Sequence, residues 1–303
     1  MQPLAAGDTV AFVGLGTMGV SMAGNIARAG FRLVVHSRTK AKADALLAAG
    51  ARWAATPAEA AKGAQAVCLC VPDAPDVEAV LFGAGGAAEG LGQGAIVIDF
   101  STIAPSPAAS FAQRLGGQGV AMLDSPVSGG PKGAADGTLT CMVGGERAAF
   151  DAAATLFSAV GKTITYLGPA GSGQVCKAAN QLIICAAMQA AAEGLALGAK
   201  AGLDVEAMRQ ALLGGSARSA VLENHAVRML KESFSPPNFR AALMRKDIRI
   251  ALEAVQAHGV FAPATAHVAQ MFEAIANQGR ADQDCTVLGQ LVAELSGLPR
   301  LKG

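Results

Sequence analysis

Lys177 and Asn180 lie three residues apart in GPAGSGQVCKAANQLI (168–183), at the head of a long and mostly apolar stretch. Three residues is close to one helical turn, so on a helix both side chains point to the same side. An ammonium can give or take a proton where charge develops on oxygen, and a carboxamide can orient a polar group without titrating. A lysine buried without a partner costs on the order of several kcal/mol, so its place on an oily helix needs a reason. The alternative is a glycine-rich capping loop (Gly168, Gly171, Gly173) followed by a solvated polar edge. Two further groups have site chemistry. Ser128-Gly129-Gly130 offers a hydroxyl and closely spaced backbone N–H groups, which can form a nest for a carboxylate or can simply make a turn. GLGTMG (Gly14, Leu15, Gly16, Thr17, Met18, Gly19) has the spacing of a loop that cradles a diphosphate. The four histidines (36, 225, 258, 267) fall in no site motif, and His36 reads as packing at a strand end. Six cysteines (68, 70, 141, 176, 185, 285) show neither CxxC nor Cys/His metal spacing, so they read as buried free thiols in a reducing compartment and no metal is expected.

These groups need positioning elements. The apolar runs at 9–14, 32–36, 66–71, 95–100 and 120–125 suit strands buried on both faces of a parallel sheet, with further strands at 138–145 and 163–168. Helices are expected at 18–29, 40–49, 76–81, 106–115 and near 147–157. Such alternation predicts a Rossmann-type doubly wound α/β sheet. After about residue 172 strand signals stop, and helical patterns follow at 174–201, 204–213, 220–231, 242–258, 264–277 and 284–296. The expected organisation is a dinucleotide-binding domain over 1–172 and an all-helical domain over 173–303, with the Lys177 motif at their junction. Met1–Gly7 and Leu298–Gly303 read as loose ends.

Context strengthens the glycine loop, because GLGTMG directly follows an apolar strand and opens a helix ending near Gly30. Gly14 permits the tight turn, Gly16 lets a pyrophosphate approach, and Gly19 lets the helix pack on the sheet. The second strand ends in His36-Ser37-Arg38-Thr39-Lys40, without the carboxylate that accepts from a ribose 2′-hydroxyl. Arg38 can bind a 2′-phosphate, with Ser37 and Thr39 donating, so NADP(H) is the expected cofactor. If Arg38 only stacks on adenine, NAD(H) serves as well. Val71 and Pro72, ending the 66–71 run, are expected among the cofactor contacts.

Five motifs occur in order: GLGTMG, DFSTIAP (99–105), DSPVSGG (124–130), GSGQVCKAAN (171–180) and RKDI (245–248). Over residues 9–296 this arrangement resembles the β-hydroxyacid dehydrogenase family. The resemblance implies a catalytic role for Lys177, substrate binding by Asn180 and by Ser128, Gly129 and Gly130, and cofactor contacts from Thr102 and Lys246. It also implies homodimers or homotetramers paired through the helical domain. The runs at 214–230 and 234–247 are more like the tartronate semialdehyde reductases of that family. The expected reaction is therefore NAD(P)H-dependent reduction of a small 3-oxo acid, tartronate semialdehyde to glycerate. Alternatives are 3-hydroxyisobutyrate, glyoxylate, succinic semialdehyde or threonate chemistry and, more remotely, a nucleotide-binding scaffold without turnover. Burial on an apolar helix near a cation such as Lys246 would move the pKa of Lys177 towards about 7–8.

Composition bounds the rest. The 303 residues are 52% hydrophobic and 16% charged, against about 25% charged for an average domain, which agrees with surface covered by another subunit. A formal net charge of +1 offers no electrostatic case for nucleic acid or an anionic membrane. No signal peptide is visible, and Gln189, Glu193 and Lys200 interrupt the apolar stretch 182–201, so a buried helix of a cytoplasmic protein is expected.

Overall fold

The computed structural model describes residues 1–301. The chain divides into two compact units, Met1–Lys177 and the helical unit from Ala178 onward, and the division falls inside one long helix.

The first unit is a nine-stranded sheet: β1 (Thr9–Val13), β2 (Arg32–His36), β3 (Arg52–Trp53), β4 (Ala66–Leu69), β5 (Ile96–Asp99), β6 (Ala121–Asp124), β7 (Val127–Ser128), β8 (Leu139–Gly145) and β9 (Gly161–Gly168). The spatial order is β3-β2-β1-β4-β5-β6-β8-β7, with β9 beside β8. Strands β1 to β6 pair in parallel, and β8 runs antiparallel to both β6 and β7. Every residue of β4, β5 and β6 is buried, as continuous apolar runs require. Side chains alternate between two apolar layers: Phe12 and Ile98 enter the layer with Met22, Ile26 and Phe157, while Val13 and Val97 enter the one with Val77, Leu81 and Phe111. The helix Gly19–Arg28 crosses from β1 to β2, Ala74–Phe82 from β4 to β5, and Pro105–Gly116 from β5 to β6. The sheet reverses its winding between β1 and β4, and ligands of such sheets bind at the carboxyl ends of the strands there.

The doubly wound α/β reading holds, with local differences. Strands β3 and β7 and the helices Pro57–Ala61 and Gly130–Asp136 carry no readable period because each is only two to seven residues long. The stretch read as one helix from 40 to 49 is a 3₁₀ turn, Lys40–Ala43, followed by Asp44–Ala48.

In the second unit, the helices Val205–Leu213, Ala226–Leu230, Ala241–Ala257, Pro263–Asn277 and Val287–Leu295 pack with the long helix Ser172–Lys200 around Met188, Leu195, Met229, Met244, Phe272 and Leu288. The long helix is apolar enough by length and composition to cross a membrane. Its Cys185, Met188, Ala192, Leu195 and Ala199 are instead buried in the core of this unit. The ends are more fixed than expected. Leu4 is buried and donates its N–H to Ala152 O at 2.8 Å, and Leu301 is buried too. Lys302 and Gly303 lie outside the described residues.

Candidate active site

The carboxyl ends of β1, β4, β5 and β6 bring the first group of residues together. The chain leaves β1 through Gly14, whose φ of +99° admits glycine most readily and whose added Cβ would overlap Cys70 O. A Cβ on Gly19 would overlap Gly14 O, so the helix starts hard against the turn. At Gly16 an added Cβ meets nothing within 4 Å. Two glycines are thus closed by packing and the middle one opens outward, with Leu15 buried, Gly16 and Thr17 exposed and Met18 half-buried. No acidic residue occupies the first turn of Gly19–Arg28, so its N–H groups favour an anion. The cradle fits the diphosphate of a dinucleotide.

At the end of β2, His36 Nδ1 lies 3.1 Å from Ala54 O, and its ring is 5.7 Å from that of Trp53. Lys40 Nζ stands 5.8 Å over the same indole. Ser37 is half-buried and Thr39 exposed. Arg38 is 85% exposed, with Nη1 3.7 Å from Asp76 Oδ1. That carboxylate comes from the helix after β4 and was not legible at the end of β2. Its Ala74-Pro75-Asp76 start gave the helix but not the direction of the side chain.

A buried polar network ties the strand ends to the helix that carries Lys177. Asp124, 2% exposed, accepts from Gly171 N at 2.7 Å and from Gln174 N at 3.0 Å. It thereby anchors the first turn of Ser172–Lys200 with charge-assisted bonds. Burial raises its pKa above the ordinary carboxylate range, against these N–H donors. The Gln174 carboxamide donates to Ser101 O at 2.9 Å and accepts from Ile103 N at 3.2 Å, flanking the half-buried Thr102. Ser101 Oγ accepts from Val71 N at 2.9 Å, and Ser101 N donates to Asp99 Oδ1 at 2.9 Å. Val71 is half-buried and Pro72 exposed beside it. Asp124 and Gln174 sit within the quoted motifs, yet neither was assigned a part. An acid ending an apolar strand, and a glutamine inside an apolar first turn, were the available signals.

Lys177 is the one lysine among the described residues that is buried, at 8% exposed. Its Nζ donates to Val127 O at 2.9 Å, next to Ser128 in β7. Gly129 (φ +130°) and Gly130 (φ +65°) follow on the surface, and Gly130 opens the helix Gly130–Asp136. A side chain would be strained at both. The structure therefore brings the ammonium to the foot of the Ser128-Gly129-Gly130 segment.

In the second unit, Asn180 Nδ2 donates to Gln181 Oε1 at 2.7 Å, and Gln181 Nε2 donates to Asp247 Oδ2 at 2.7 Å. Lys246 Nζ lies 3.1 Å from Asp247 Oδ1. Asn180 and Lys246, both half-buried, thus end one polar chain through the buried Gln181 and Asp247. The charge of Lys246 is compensated by the neighbouring acid.

Residues 9–168 match the model of the NAD-binding domain of 6-phosphogluconate dehydrogenase, and residues 171–292 match the NAD-binding model of NADP-dependent 3-hydroxyisobutyrate dehydrogenase. The chain is 41% identical over 279 residues to 2-hydroxy-3-oxopropionate reductase of Escherichia coli K12, covering 92% of this chain and 95% of that one. This chain belongs to the β-hydroxyacid dehydrogenase family. It is also 35% identical to the NAD-dependent L-serine dehydrogenase of Pseudomonas aeruginosa, over 95% of this chain and 99% of that one. Among solved structures it is similar to 3-hydroxyisobutyrate dehydrogenase from Salmonella typhimurium, with a TM-score of 0.86 at 29% identity, covering 94% of this chain and 99% of that one. As a β-hydroxyacid dehydrogenase it is a nicotinamide-dependent oxidoreductase, with the Rossmann-type and helical parts its sequence announces. Among the described residues no group of three or more His, Cys, Asp and Glu is placed to hold a metal ion.

Proposed function

We propose that this protein reduces 2-hydroxy-3-oxopropionate (tartronate semialdehyde) to glycerate, with NADP(H) as preferred cofactor. The observation that carries the reading is the buried Lys177 ammonium, held by Val127 O at the foot of Ser128-Gly129-Gly130. The nicotinamide ring, when bound, supplies or takes up the hydride. Lys177 gives its proton to the aldehyde oxygen as charge develops there, and in oxidation the neutral amine accepts the hydroxyl proton. Ser128 and the N–H groups of Gly129 and Gly130 hold the carboxylate, and Asn180 orients the substrate through its amide. Gly14, Leu15, Gly16, Thr17, Met18 and Gly19 receive the diphosphate, while Val71, Pro72, Thr102 and Lys246 line the cofactor. Arg38, with Ser37 and Thr39, receives the 2′-phosphate. The 3.7 Å pairing with Asp76 is loose and exposed, so it competes weakly.

The E. coli relative supports the choice of substrate, and the serine and hydroxyisobutyrate relatives keep β-hydroxy acids of similar size as competitors. A panel of 2-hydroxy-3-oxopropionate, glycerate, L-serine, 3-hydroxyisobutyrate, succinic semialdehyde and glyoxylate, each assayed with both cofactors, tests this. The highest kcat/KM is expected for 2-hydroxy-3-oxopropionate with NADPH. A clear preference for another acid, or for NADH, rejects that half of the proposal.

We further propose that copies associate through the helical unit in a reducing, cytoplasmic setting. Ile183 and Leu197 on the long helix are 71% and 72% exposed, and the six cysteines form no disulfide. Light scattering should give a dimer or tetramer; a monomer at micromolar concentration removes this part.

A further inference from the structure

We propose that Gln174 is a positioning residue for the reaction: its buried carboxamide locks the turn bearing Lys177 to the segment bearing Thr102. The inference rests on the assignment of Lys177 as the proton donor. Gln174 is 1% exposed, and each end of its amide meets a backbone group. Nε2 donates to Ser101 O at 2.9 Å, and Oε1 accepts from Ile103 N at 3.2 Å. This is the pairing of one strand with another, made by a side chain, and it grips the backbone on both sides of Thr102. The orientation of the amide is fixed, because a carbonyl stands on one side and an N–H on the other. The backbone of the same residue is fastened to β6, its N–H donating to Asp124 Oδ2 at 3.0 Å. Lys177 follows three residues later, nearly one helical turn on. Lys177 Nζ bonds Val127 O, just beyond β6. Gln174 is thus the residue through which the end of β5, the end of β6 and the lysine share one frame. An apolar side chain of equal length would fill the space and lose that frame.

Two replacements test this. Gln174→Met keeps length and burial and removes both amide bonds. Misplacing a reacting group by about 1 Å can cost about 10²-fold in rate. The expected result is a kcat lowered at least about tenfold, with KM for the cofactor within about threefold of wild type. Gln174→Glu separates position from folding. Ionised, the new carboxylate still accepts from Ile103 N–H but faces Ser101 O without a proton; protonated, it restores both bonds. Asp124 on β6, Asp99 beside Ser101 and Lys177 one turn on are the titratable groups its bonded neighbours bring to it. All are present in wild type, so a trend in the ratio of variant to wild-type kcat with pH arises from residue 174 and from its field on Lys177. That ratio should rise as the pH falls from 8 to 5.5, while the Gln174→Met ratio stays flat. A Gln174→Met kcat within twofold of wild type, or a flat Gln174→Glu ratio, overturns the proposal while leaving the Lys177 reading intact. If Gln174→Met does not fold, the Gln174→Glu ratio decides. A wild type that turns over none of the panel overturns both.

Discussion

Asp124→Asn is the perturbation whose size can be worked most directly from the structure. The carboxylate accepts at 2.7 Å from Gly171 N and at 3.0 Å from Gln174 N while 2% exposed. Bonds to a charged acceptor contribute about 1.5–3 kcal/mol each. Asparagine keeps one acceptor oxygen and turns an NH₂ towards the other backbone N–H, so one charged bond is lost and a buried donor is left unmet. Relief of the desolvation that raises the Asp124 pKa offsets part of this, leaving a net loss of about 2 kcal/mol. In a unit of this size that lowers Tm by roughly 4–8 °C. Trp53, the only tryptophan, sits in β3 of the same unit, so urea unfolding followed by its fluorescence reads the right transition. The folded-state pKa of Asp124 is raised, so the folded protein takes up its proton at a higher pH than the unfolded chain. Wild type should therefore gain on Asp124→Asn as the pH falls from 7 towards 4. A stability within about 0.5 kcal/mol of wild type at pH 7 would refute the anchoring role.

Gly19→Ala should abolish dinucleotide binding in a fluorescence titration, because its Cβ would overlap Gly14 O and force the loop open; unchanged affinity would count against the cradle. Arg38→Ala should raise KM for NADPH about tenfold or more and leave that for NADH within about twofold, since a charge-assisted phosphate contact disappears. In Glu206, hydrogen bonds from Arg209 and Gln210 hold the pKa down at about 2. Its contribution is thus present above the unfolded-state value and lost as the pH falls through about 2, so the Tm gap between wild type and Glu206→Gln should close between pH 5 and 2. Glu206 is half-exposed although Arg209 is buried, so solvent screening of the carboxylate should keep the gap at neutral pH to about 1 kcal/mol or less.

The long elements were legible because each carries its own period. The apolar runs of β1, β4, β5 and β6 suited doubly covered strands, and the glycines at 14, 16 and 19 announced the loop they form. The two-residue strands β3 and β7 were not legible, since a period needs more residues than they have. Lys177 was conspicuous as a charge on an apolar helix. Its partner was not, because Val127 O is a backbone atom 50 residues away. Asp124 and Gln174 were overlooked for a related reason. Their work is done on backbone N–H and C=O groups of distant segments, and sequence patterns describe side chains along one element. Asp76 entered the Arg38 neighbourhood from another crossover helix, which only the order β2-β1-β4 brings near. Leu4 and Leu301 looked like frayed ends and are instead buried.

The central claim is that Lys177 moves the proton. The most direct test is the kcat/KM of wild type and Lys177→Ala for 2-hydroxy-3-oxopropionate with NADPH across pH 6–9, alongside the Kd of each protein for the cofactor. The account predicts a fall of about 10²–10⁴-fold on substitution, an ionisation present in wild type and missing in the variant, and an unchanged Kd. Turnover by Lys177→Ala within a few-fold of wild type, with the same pH profile, would contradict it.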